Sequence, residues 1–366
     1  MNTDQGEIIE IARLFETVGE ACSAVPLGNG LINDTYKVET SQGRSYVLQR
    51  INDAVFRDVD LLQSNIVAVT DHLRKRLSYL KGYDDEDLDT HVLRFMKVKD
   101  SQKTFCMAGG GWWRLSLFID AKSYDSVDPH FSLLAGKAFG LFDALMSDYK
   151  GRLGETIPNF HNMEFRLCQF DEAVRADAAK RLDEVDNRAV VAEINSFRDQ
   201  MCKAERLGRE GKLPKRICHC DTKVNNMMFN SKGEVQAIID LDTVMPSFIL
   251  SDYGDFLRTA GSTAAEDEKD LRKVSFRKDI FEAFTKGFLE SVKSFLSPVE
   301  KENLPYGVAL FPYMQAVRFF TDYLDGDTYY KTKYPEHNLV RTRNQMKLFH
   351  EIMNNMDYMA NFIQNL

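Results

Sequence analysis

The sequence predicts an α+β protein with two lobes, a β-rich N-terminal lobe and a mostly helical C-terminal lobe. Alternating apolar residues, typical of strands, are concentrated before residue 120, and helical apolar periodicity dominates after it. The chain of 366 residues is also longer than a single hydrophobic core usually supports. We therefore expect one lobe over residues 1–120 and the other over residues 121–366.

The composition is that of an ordinary globular protein, with 44% hydrophobic and 28% charged residues. A formal net charge of −8 argues against a general binder of nucleic acid or anionic membrane. No apolar run approaches the ~18 residues of a membrane span, and the N-terminus is acidic where a signal peptide is basic. We expect a cytoplasmic protein that binds neither nucleic acid nor membrane.

The six cysteines are scattered through the chain, so we expect reduced thiols and no disulfide framework. The tripeptide Cys218-His219-Cys220 could suggest zinc. No second Cys or His pair stands at zinc-like spacing, and neighbours on a strand point to opposite faces. Zinc is therefore the disfavoured interpretation.

The N-terminal region is predicted to contain two helices and at least four strands. The helices have an apolar residue every three or four positions, and the strands alternate. The helices span Glu7–Thr17 and Asp58–Leu80, and the strands begin at Ile32 and span Arg44–Arg50, Lys103–Met107 and Trp112–Ile119.

Two predicted turns of this region are rich in glycine. The first contains Gly28 and Gly30, and glycine permits the backbone to approach a phosphate closely. On local grounds an ordinary hairpin turn explains it equally well. The second, Ala108–Gly111, is followed by a strand and not by a helix, so a hairpin turn is favoured there.

The C-terminal region is predicted to be helical around a central stretch of strands and loops. The predicted helices are Phe131–Met146, Ala173–Leu207, Asp279–Phe295 and Leu310–Leu324. The central stretch, Ile217–Asp255, has the pattern strand, loop, strand, turn, strand.

Most of the candidate chemistry lies in this central stretch. His219, Asp221 and Asn226 form H-x-D-x-x-x-x-N, and Asp240 ends the apolar run after a turn at residues 231–234. A hairpin there would bring Asn226 and Asp240 side by side, where their oxygens could share Mg²⁺. In a kinase catalytic loop, the first Asp accepts the proton of the attacking hydroxyl and the Asn and second Asp hold the metal. The alternative is that these are ordinary turn and strand-end residues.

The kinase interpretation assigns further residues of the N-terminal lobe, in a protein-kinase-like fold. Gly28 and Gly30 would face the phosphates of ATP, and the adenine would lie at the hinge, at Phe118 and Ile119. A kinase carries a phosphate-binding lysine on the strand that here ends in Gln49-Arg50. Gln49 occupies the place of that lysine, and whether Arg50 replaces it is open at this point.

Arg318 is the most unusual residue of the helical region. Apolar residues surround it in Phe311–Phe320, so its guanidinium needs a partner. Two explanations are equally supported: an internal ion pair with Asp322, one helical turn on, or hydrogen bonds to a polar substrate.

The catalytic stretch resembles that of the aminoglycoside phosphotransferase and choline kinase superfamily, which comprises small-molecule kinases with a protein-kinase-like fold. Longer stretches resemble the sugar kinases of this superfamily that phosphorylate the anomeric hydroxyl of N-acetylglucosamine or N-acetylgalactosamine. These sugar kinases also have Gln in place of the phosphate lysine. The stretches are GNGLINDTY, YVLQRIN, CDTKVNN, AIIDLDTVMP and DGDTYYKTKYPEHNLVRTR.

The resemblance implies an ATP-dependent and Mg²⁺-dependent kinase with a small-molecule sugar as its substrate. By position, it implies Asp221 as the catalytic base, Asn226 and Asp240 as metal ligands, Asp242, Arg318 and Tyr329 near the sugar, and His219 and Asp252 as supports of the catalytic loop.

Two rival hypotheses remain. The first is a kinase for choline, ethanolamine or an aminoglycoside-like acceptor, which would require an acidic or aromatic cage. The second is a catalytically inactive nucleotide-binding module. The presence of Asp221, Asn226 and Asp240 argues against an inactive module, whereas Gln49 argues weakly for it.

Overall fold

The computed structural model describes residues 5–28, 32–124, 128–184 and 186–366. It confirms the predicted fold class, with a β-sheet N-terminal region and a helical C-terminal region. The chain forms two compact units, one of residues 1–123, 148–158 and 227–245, and one of residues 124–147, 159–226 and 246–366. The first unit thus includes two segments that lie beyond the predicted boundary at residue 120.

The first unit is built on a five-stranded antiparallel sheet with the strand order β1-β2-β3-β5-β4. Its strands are β1 (Ala21–Pro26), β2 (Asp34–Thr40), β3 (Ser45–Ile51), β4 (Phe105–Ala108) and β5 (Gly111–Leu117). In this register Gln49 on β3 lies directly opposite Arg114 on β5. Short hairpins join β2 to β3 and β4 to β5, because neighbouring antiparallel strands need only tight turns, whereas β5 pairs with β3 across the long connection between β3 and β4.

One face of this sheet forms the core of the first unit together with helix α1 (Gln5–Ala12). Strand alternation buries Tyr46 and Leu48 on this face and leaves Gln49 on the other. The buried side chains include Ile8, Ile11, Phe15, Val38, Tyr46, Leu48, Trp113 and Leu115.

Two helices connect β3 to β4, namely α2 (Val59–Lys81) and α3 (Asp85–His91). The Asp58 side chain caps α2 by accepting a hydrogen bond from the Leu61 amide, and Gly82 ends it in a left-handed conformation with φ of 70°. The apolar stripe at Val59, Leu62, Ile66, Val69 and Leu73 is buried, as the predicted helix over residues 58–80 requires.

A hairpin from later in the chain completes the first unit. It consists of β7 (Met227–Phe229) and β8 (Val235–Ile238), with Met227 opposite Ile238. Phe229 also pairs with Lys122 through two backbone hydrogen bonds of 2.8 and 3.0 Å. The hairpin therefore joins the chain segment that follows β5.

The second unit is mostly helical. Its helices are α4 (Pro129–Met146), α5 (Met163–Ala176), α6 (Asn187–Met201), α7 (Lys203–Arg209), α8 (Leu250–Ala260), α9 (Lys278–Val292), α10 (Pro298–Glu302), α11 (Leu304–Leu324), α12 (His337–Met353) and α13 (Met356–Gln364). Strand β6 (Arg216–Cys218) pairs with β9 (Met245–Ser247), whose last two residues belong to this unit.

Helices α4 and α9 approach each other closely because glycine lies on both sides of their contact. A Cβ on Gly136 would clash with the Phe284 carbonyl, and one on Gly287 would clash with the Leu133 carbonyl. This packing holds α4 firmly in place, and α4 carries three residues that bear on the site described below.

Two sequence-based predictions about the helices were wrong. The segment Ala173–Leu207 was predicted to be one helix, but α5 ends at Asp177, whose φ of 39° is left-handed, and α6 and α7 follow separately. The stretch Ile217–Asp255 was predicted to have the pattern strand, loop, strand, turn, strand, but it ends in a helix, because α8 begins at Leu250. Among the described helices, none is sufficiently long and apolar to cross a membrane.

Candidate active site

The chain segment that follows β6 is anchored to α8 by Asp252. The buried Asp252 carboxylate accepts hydrogen bonds from the amides of His219 and Cys220, both at 2.7 Å. The Thr222 hydroxyl donates to the Asp252 carbonyl at 2.8 Å. These bonds hold Cys220 at a φ of 62°, a left-handed conformation that a non-glycine residue adopts rarely.

His219 supports the same segment from inside the second unit. It is fully buried, and its ring meets Phe139 and Phe142 of α4 edge-on, each at a centroid distance of 5.7 Å. A ring enclosed in this way cannot reach a substrate. The hydrogen bonds of Asp252 thus hold the backbone on either side of Asp221, and the His219 ring packs in the core beside it; their role as supports of a catalytic loop stays a prediction.

Asp221 and Asn226 are in contact in the second unit. The Asn226 side-chain amide donates to the Asp221 carbonyl at 2.8 Å and to its Oδ2 at 3.0 Å. Lys223 Nζ lies 2.6 Å from the same Oδ2. Asp221 keeps 26% of its side chain exposed, so a ligand can still approach it.

The described residues contain one cluster of potential metal ligands other than the predicted pair, formed by Asp143, Cys218 and Asp252. It does not fit a metal ion, because metal ligands must be deprotonated. Burial raises the pKa of the Cys218 thiol well above its ordinary value, and Cys218 Sγ donates to the Phe248 carbonyl at 3.4 Å. Burial, followed by the nearby Asp252 charge, likewise raises the pKa of the Asp143 carboxyl. Cys218 and Asp143 thus retain their protons, and the cluster is part of the core of the second unit.

Asp240 and Asp242 lie after β8 in the first unit. Asp240 has a left-handed backbone, with φ of 61° and ψ of 59°. Asp242, predicted to lie near the sugar, is 3% exposed. Its Oδ1 lies 2.6 Å from Arg114 Nη1, and its Oδ2 accepts a hydrogen bond from the Asn33 side chain at 2.7 Å. Both carboxylate oxygens of Asp242 therefore have a polar partner within this unit.

Gln49, at the place of the usual phosphate lysine, belongs to the same group. Its Oε1 accepts a hydrogen bond from Arg114 Nε at 3.0 Å, and its Nε2 donates to Thr35 Oγ1 at 3.4 Å. The Arg50 side chain does not join this group and instead donates a hydrogen bond to the Gly110 carbonyl at 3.3 Å. The cation beside Gln49 is thus Arg114 from the neighbouring strand.

The predicted nucleotide contacts in the first unit lie near its sheet. Gly28, just after β1, has a φ of 69°, whereas Gly30 lies outside the described residues. The Phe118 amide donates to the Ser45 carbonyl at 3.1 Å, and Ile119 is 6% exposed. The assignment of these residues to ATP stays a prediction.

Arg318 and Tyr329 come together in the second unit. The guanidinium carbon of Arg318 lies 5.5, 5.9 and 5.6 Å from the ring centroids of Phe160, Tyr329 and Tyr330, respectively. Arg318 Nη1 donates to Gln315 Oε1 at 3.2 Å. Within the described ranges, Arg318 forms no ion pair with a carboxylate, and Tyr329 is 61% exposed. We call Phe160, Arg318, Tyr329 and Tyr330 the Arg318 cluster.

A second arginine lies beside this cluster, and the sequence analysis did not identify it. Arg166 donates to the Phe160 carbonyl from Nε at 3.2 Å and from Nη2 at 2.8 Å. Burial, and then the charge of Arg318, lower the pKa of Arg166 to about 10. Burial and the same cations lower the pKa of His161, whose ring stacks on Phe160 at 4.3 Å. This part of the second unit is basic and aromatic.

The family of the protein follows from comparison with known sequences. Residues 23–282, more than half of the chain, match the model of a phosphotransferase enzyme family. The protein belongs to this family, which confirms the predicted phosphotransferase class, and the finer assignment to the sugar kinases stays a prediction.

Solved structures of several kinases are similar to this chain in fold. An aminoglycoside phosphotransferase from Alicyclobacillus acidocaldarius aligns with a TM-score of 0.62 and 12% identity over 98% of this chain and 96% of that one. An amicoumacin kinase in complex with AMP-PNP and Ca²⁺ aligns with a TM-score of 0.61 and 13% identity over 95% of this chain and 94% of that one. A spectinomycin phosphotransferase in complex with ADP and spectinomycin aligns with a TM-score of 0.57 and 14% identity over 98% of this chain and 99% of that one.

Proposed function

We propose that this protein is an ATP-dependent kinase that phosphorylates the anomeric hydroxyl of N-acetylhexosamines, an N-acetylhexosamine 1-kinase. The class of reaction is that of its family. The observation that carries the choice of acceptor is the Arg318 guanidinium, which lies among three aromatic rings with no carboxylate bound to it in the described chain. The sequence resemblance to sugar kinases supports the same choice.

Asp221 is the proposed base. Phosphoryl transfer requires little covalent chemistry from the protein, but the attacking hydroxyl must be aimed and must lose its proton. Asp221 is partly exposed and is held by Asn226 and Lys223, so its carboxylate has a fixed direction. A hydroxyl within about 3 Å of it can transfer its proton as the new bond forms.

Asn226 and Asp240 are the proposed Mg²⁺ ligands, and their donor atoms suit that ion. Mg²⁺ prefers hard oxygen ligands and is usually bound by one or two carboxylates together with phosphates. Asn226 uses its amide nitrogen to bind Asp221, which leaves its Oδ1 as the atom that can accept. When bound, the ion would neutralise charge on the β- and γ-phosphates of ATP.

The Arg318 cluster is the proposed contact surface for the acceptor. Arg318 can donate several directional hydrogen bonds to sugar hydroxyls or to an acetamido oxygen, and Tyr329 can donate or accept one. The charges of Arg318 and Arg166 argue against the rival acceptors. Choline, ethanolamine and aminoglycosides are cations, and two arginines at this surface would repel them.

The test is a coupled ADP-release assay of the purified protein with Mg²⁺-ATP. The acceptors would be N-acetylglucosamine, N-acetylgalactosamine, glucose, choline, ethanolamine and spectinomycin, and Asp221→Asn would be the inactive control. We expect ADP release with the two N-acetylhexosamines that the control lacks. Turnover confined to choline, ethanolamine or spectinomycin would replace this proposal with the rival one. An absence of turnover, with retained ATP binding, would favour an inactive nucleotide-binding module.

A further inference from the structure

We propose that Arg114, Asp242 and Asn33 form a positioning network that fixes the backbone of Asp240, and that Gln49 orients Arg114 within it. The inference rests on the proposed role of Asp240 as a metal ligand. It gives Asp242 a different role from the sugar contact that the sequence predicts. All residues of the network belong to the first unit.

The first step of the argument is the position of Asp242. It follows Asp240 by two residues and lies in the short 3-10 turn Leu241–Thr243. Arg114 Nη1 lies 2.6 Å from its Oδ1, and the Asn33 amide donates to its Oδ2 at 2.7 Å. The Thr156 hydroxyl donates to the Asp242 carbonyl at 2.8 Å. The side chain and the backbone of Asp242 are therefore both held.

The second step is the conformation of Asp240. Left-handed backbone is unfavourable for residues with a Cβ, though least so for Asp and Asn, and such a residue adopts it at single positions where local bonds support it. Asp240 adopts it with φ of 61° directly before the residues that the network holds. On the far side of that turn, the Asn65 side chain donates to the Val244 carbonyl at 3.2 Å. The bonds at Asp242 and Val244 together impose the path of the chain from which the Asp240 carboxylate projects.

The third step is the burial of the ion pair. The Arg114 and Asp242 side chains are 3% and 4% exposed, respectively. A buried ion pair contributes little net stability, because desolvation offsets most of its attraction and apolar side chains of similar size often stabilise as well. Stability alone is therefore a weak reason for this pair. A requirement for one defined backbone path at Asp240 explains it directly.

The fourth step explains Gln49. Its Oε1 accepts the Arg114 Nε–H bond, and its partner in the sheet register is Arg114 itself. A lysine at this position would place a second cation against Arg114 and would remove the acceptor. In this chain the cation at this place in the sheet is thus Arg114 of β5, which contacts Asp242, and a glutamine is the residue that fits beside it.

Asn33 extends the network toward the start of the sheet. Its Oδ1 accepts a hydrogen bond from the Asn52 amide at 2.9 Å while its Nδ2 donates to Asp242. Asn33 is 8% exposed and directly precedes β2. The metal-binding segment is in this way tied to the beginning of β2 and the end of β3.

The test measures binding of Mn²⁺-ADP without turnover, by calorimetry, together with the melting temperature. The main variant is Arg114→Met/Asp242→Leu, which replaces the ion pair with apolar side chains and leaves no unpaired buried charge. We expect it to fold and to melt somewhat below the wild type, because Asn33 and Gln49 each lose a partner, but to bind Mn²⁺-ADP about 10- to 100-fold more weakly, as is typical when a partner of a metal ligand is lost. Gln49→Lys should also weaken binding. Lys103→Met, which breaks an exposed ion pair with Asp60 in the same unit, is the matched control.

Wild-type affinity for Mn²⁺-ADP in the folded double variant would overturn the inference. If the double variant does not fold, Asn33→Ala decides by the same measurement, because it removes the bonds to Asp242 and to the Asn52 amide and leaves the ion pair. Asp240→Asn separates the two proposals. If Asp240→Asn weakens Mn²⁺-ADP binding and the network variants do not, only the network inference fails. If Asp240→Asn has no effect, the metal assignment itself is wrong and the network has no ligand to position.

Discussion

Asp322 lies one helical turn after Arg318 on α11, and the two do not form an ion pair. Asp322 accepts hydrogen bonds from the amides of Thr328, Tyr329 and Tyr330 at 2.7 to 3.0 Å and from the Asn338 side chain at 2.8 Å. Its carboxylate thus shapes the turn that presents Tyr329. Of the two explanations that the sequence leaves open for Arg318, the internal ion pair with Asp322 is not formed.

The first prediction concerns the acceptor. Arg318→Ala should raise KM for the sugar by about 10- to 100-fold, the usual effect of losing a hydrogen bond from a charged group. The melting temperature and KM for ATP should change little, because within the described structure Arg318 donates a hydrogen bond only to the Gln315 side chain and its other contacts are with aromatic rings. Steady-state kinetics and thermal melting of the same sample test this.

Asp322→Asn is the control for Arg318→Ala. It removes a buried charge that three backbone amides and Asn338 bind, so we expect a lower melting temperature. If Arg318→Ala lowered the melting temperature and left the sugar KM of the folded fraction unchanged, Arg318 would be a structural residue.

The second prediction concerns the base. Asp221→Ala should reduce kcat by at least about 100-fold, the lower range for the loss of a general base, with ADP binding retained. Thr222→Val, which removes one hydrogen bond to the Asp252 carbonyl, is a neighbouring control that should lose far less activity. Single-turnover kinetics and calorimetry with ADP measure both quantities, and a near wild-type kcat would remove Asp221 from the mechanism.

The third prediction concerns the metal. Asp240→Asn should weaken the binding of Mg²⁺-ADP and leave the binding of sugar unchanged, because a carboxylate ligand is replaced by a neutral amide. Glu234→Gln, an exposed substitution in the turn of the same hairpin, should change neither. Calorimetric titrations of both variants with Mg²⁺-ADP and with sugar compare the two affinities. Equal Mg²⁺-ADP affinity in the two variants would contradict the assignment.

The fourth prediction concerns the pH dependence of stability. Burial, followed by the Asp252 charge, raises the pKa of Asp143 well above its ordinary value of 3.8. The folded protein then keeps a proton that the unfolded chain releases, so this residue lowers stability as pH rises from the ordinary carboxyl range to the raised pKa. The Asn side chain does not release a proton in this pH range. Asp143→Asn should therefore gain stability relative to the wild type as the pH rises through this window.

Denaturant unfolding at about pH 4 and about pH 7 measures that difference. One group contributes at most about 1.4 kcal/mol per pH unit within the window. Asp148→Asn, at a position just after α4 where 46% of the side chain is exposed, is the control and should follow the wild type more closely than Asp143→Asn does. If the unfolding free energies of the wild type and of Asp143→Asn changed equally between the two pH values, Asp143 would be ionised in the folded protein.

Elements with local periodicity were predictable from the sequence. Helix α2 was predicted over residues 58–80 and spans Val59–Lys81, because its stripe and caps are encoded within the segment itself. The division of Ala173–Leu207 into separate helices was not predictable in this way. Asp177 ends α5 in a left-handed conformation without a glycine or proline to indicate it, and the apolar spacing continues beyond it.

Contacts within the site were less predictable, because they join residues that are distant in sequence. Asp221 and Asn226 were identified because their spacing in one loop is itself the pattern. Asn33 and Asp242 are 209 positions apart, and only the folded sheet brings Asn33 and Arg114 to the same carboxylate. Arg166 was missed for the same reason, since nothing near it in sequence distinguishes it from an ordinary arginine of a helix surface.

The most direct test of the account is the identity of the phosphorylated product. The purified protein would be incubated with Mg²⁺-ATP and N-acetylglucosamine, and the product would be examined by phosphorus and proton NMR, with Asp221→Asn in parallel. The account predicts a phosphate coupled to the anomeric proton, formed by the wild type only. A phosphate on another hydroxyl, or transfer to choline or spectinomycin with none to the sugar, would contradict it.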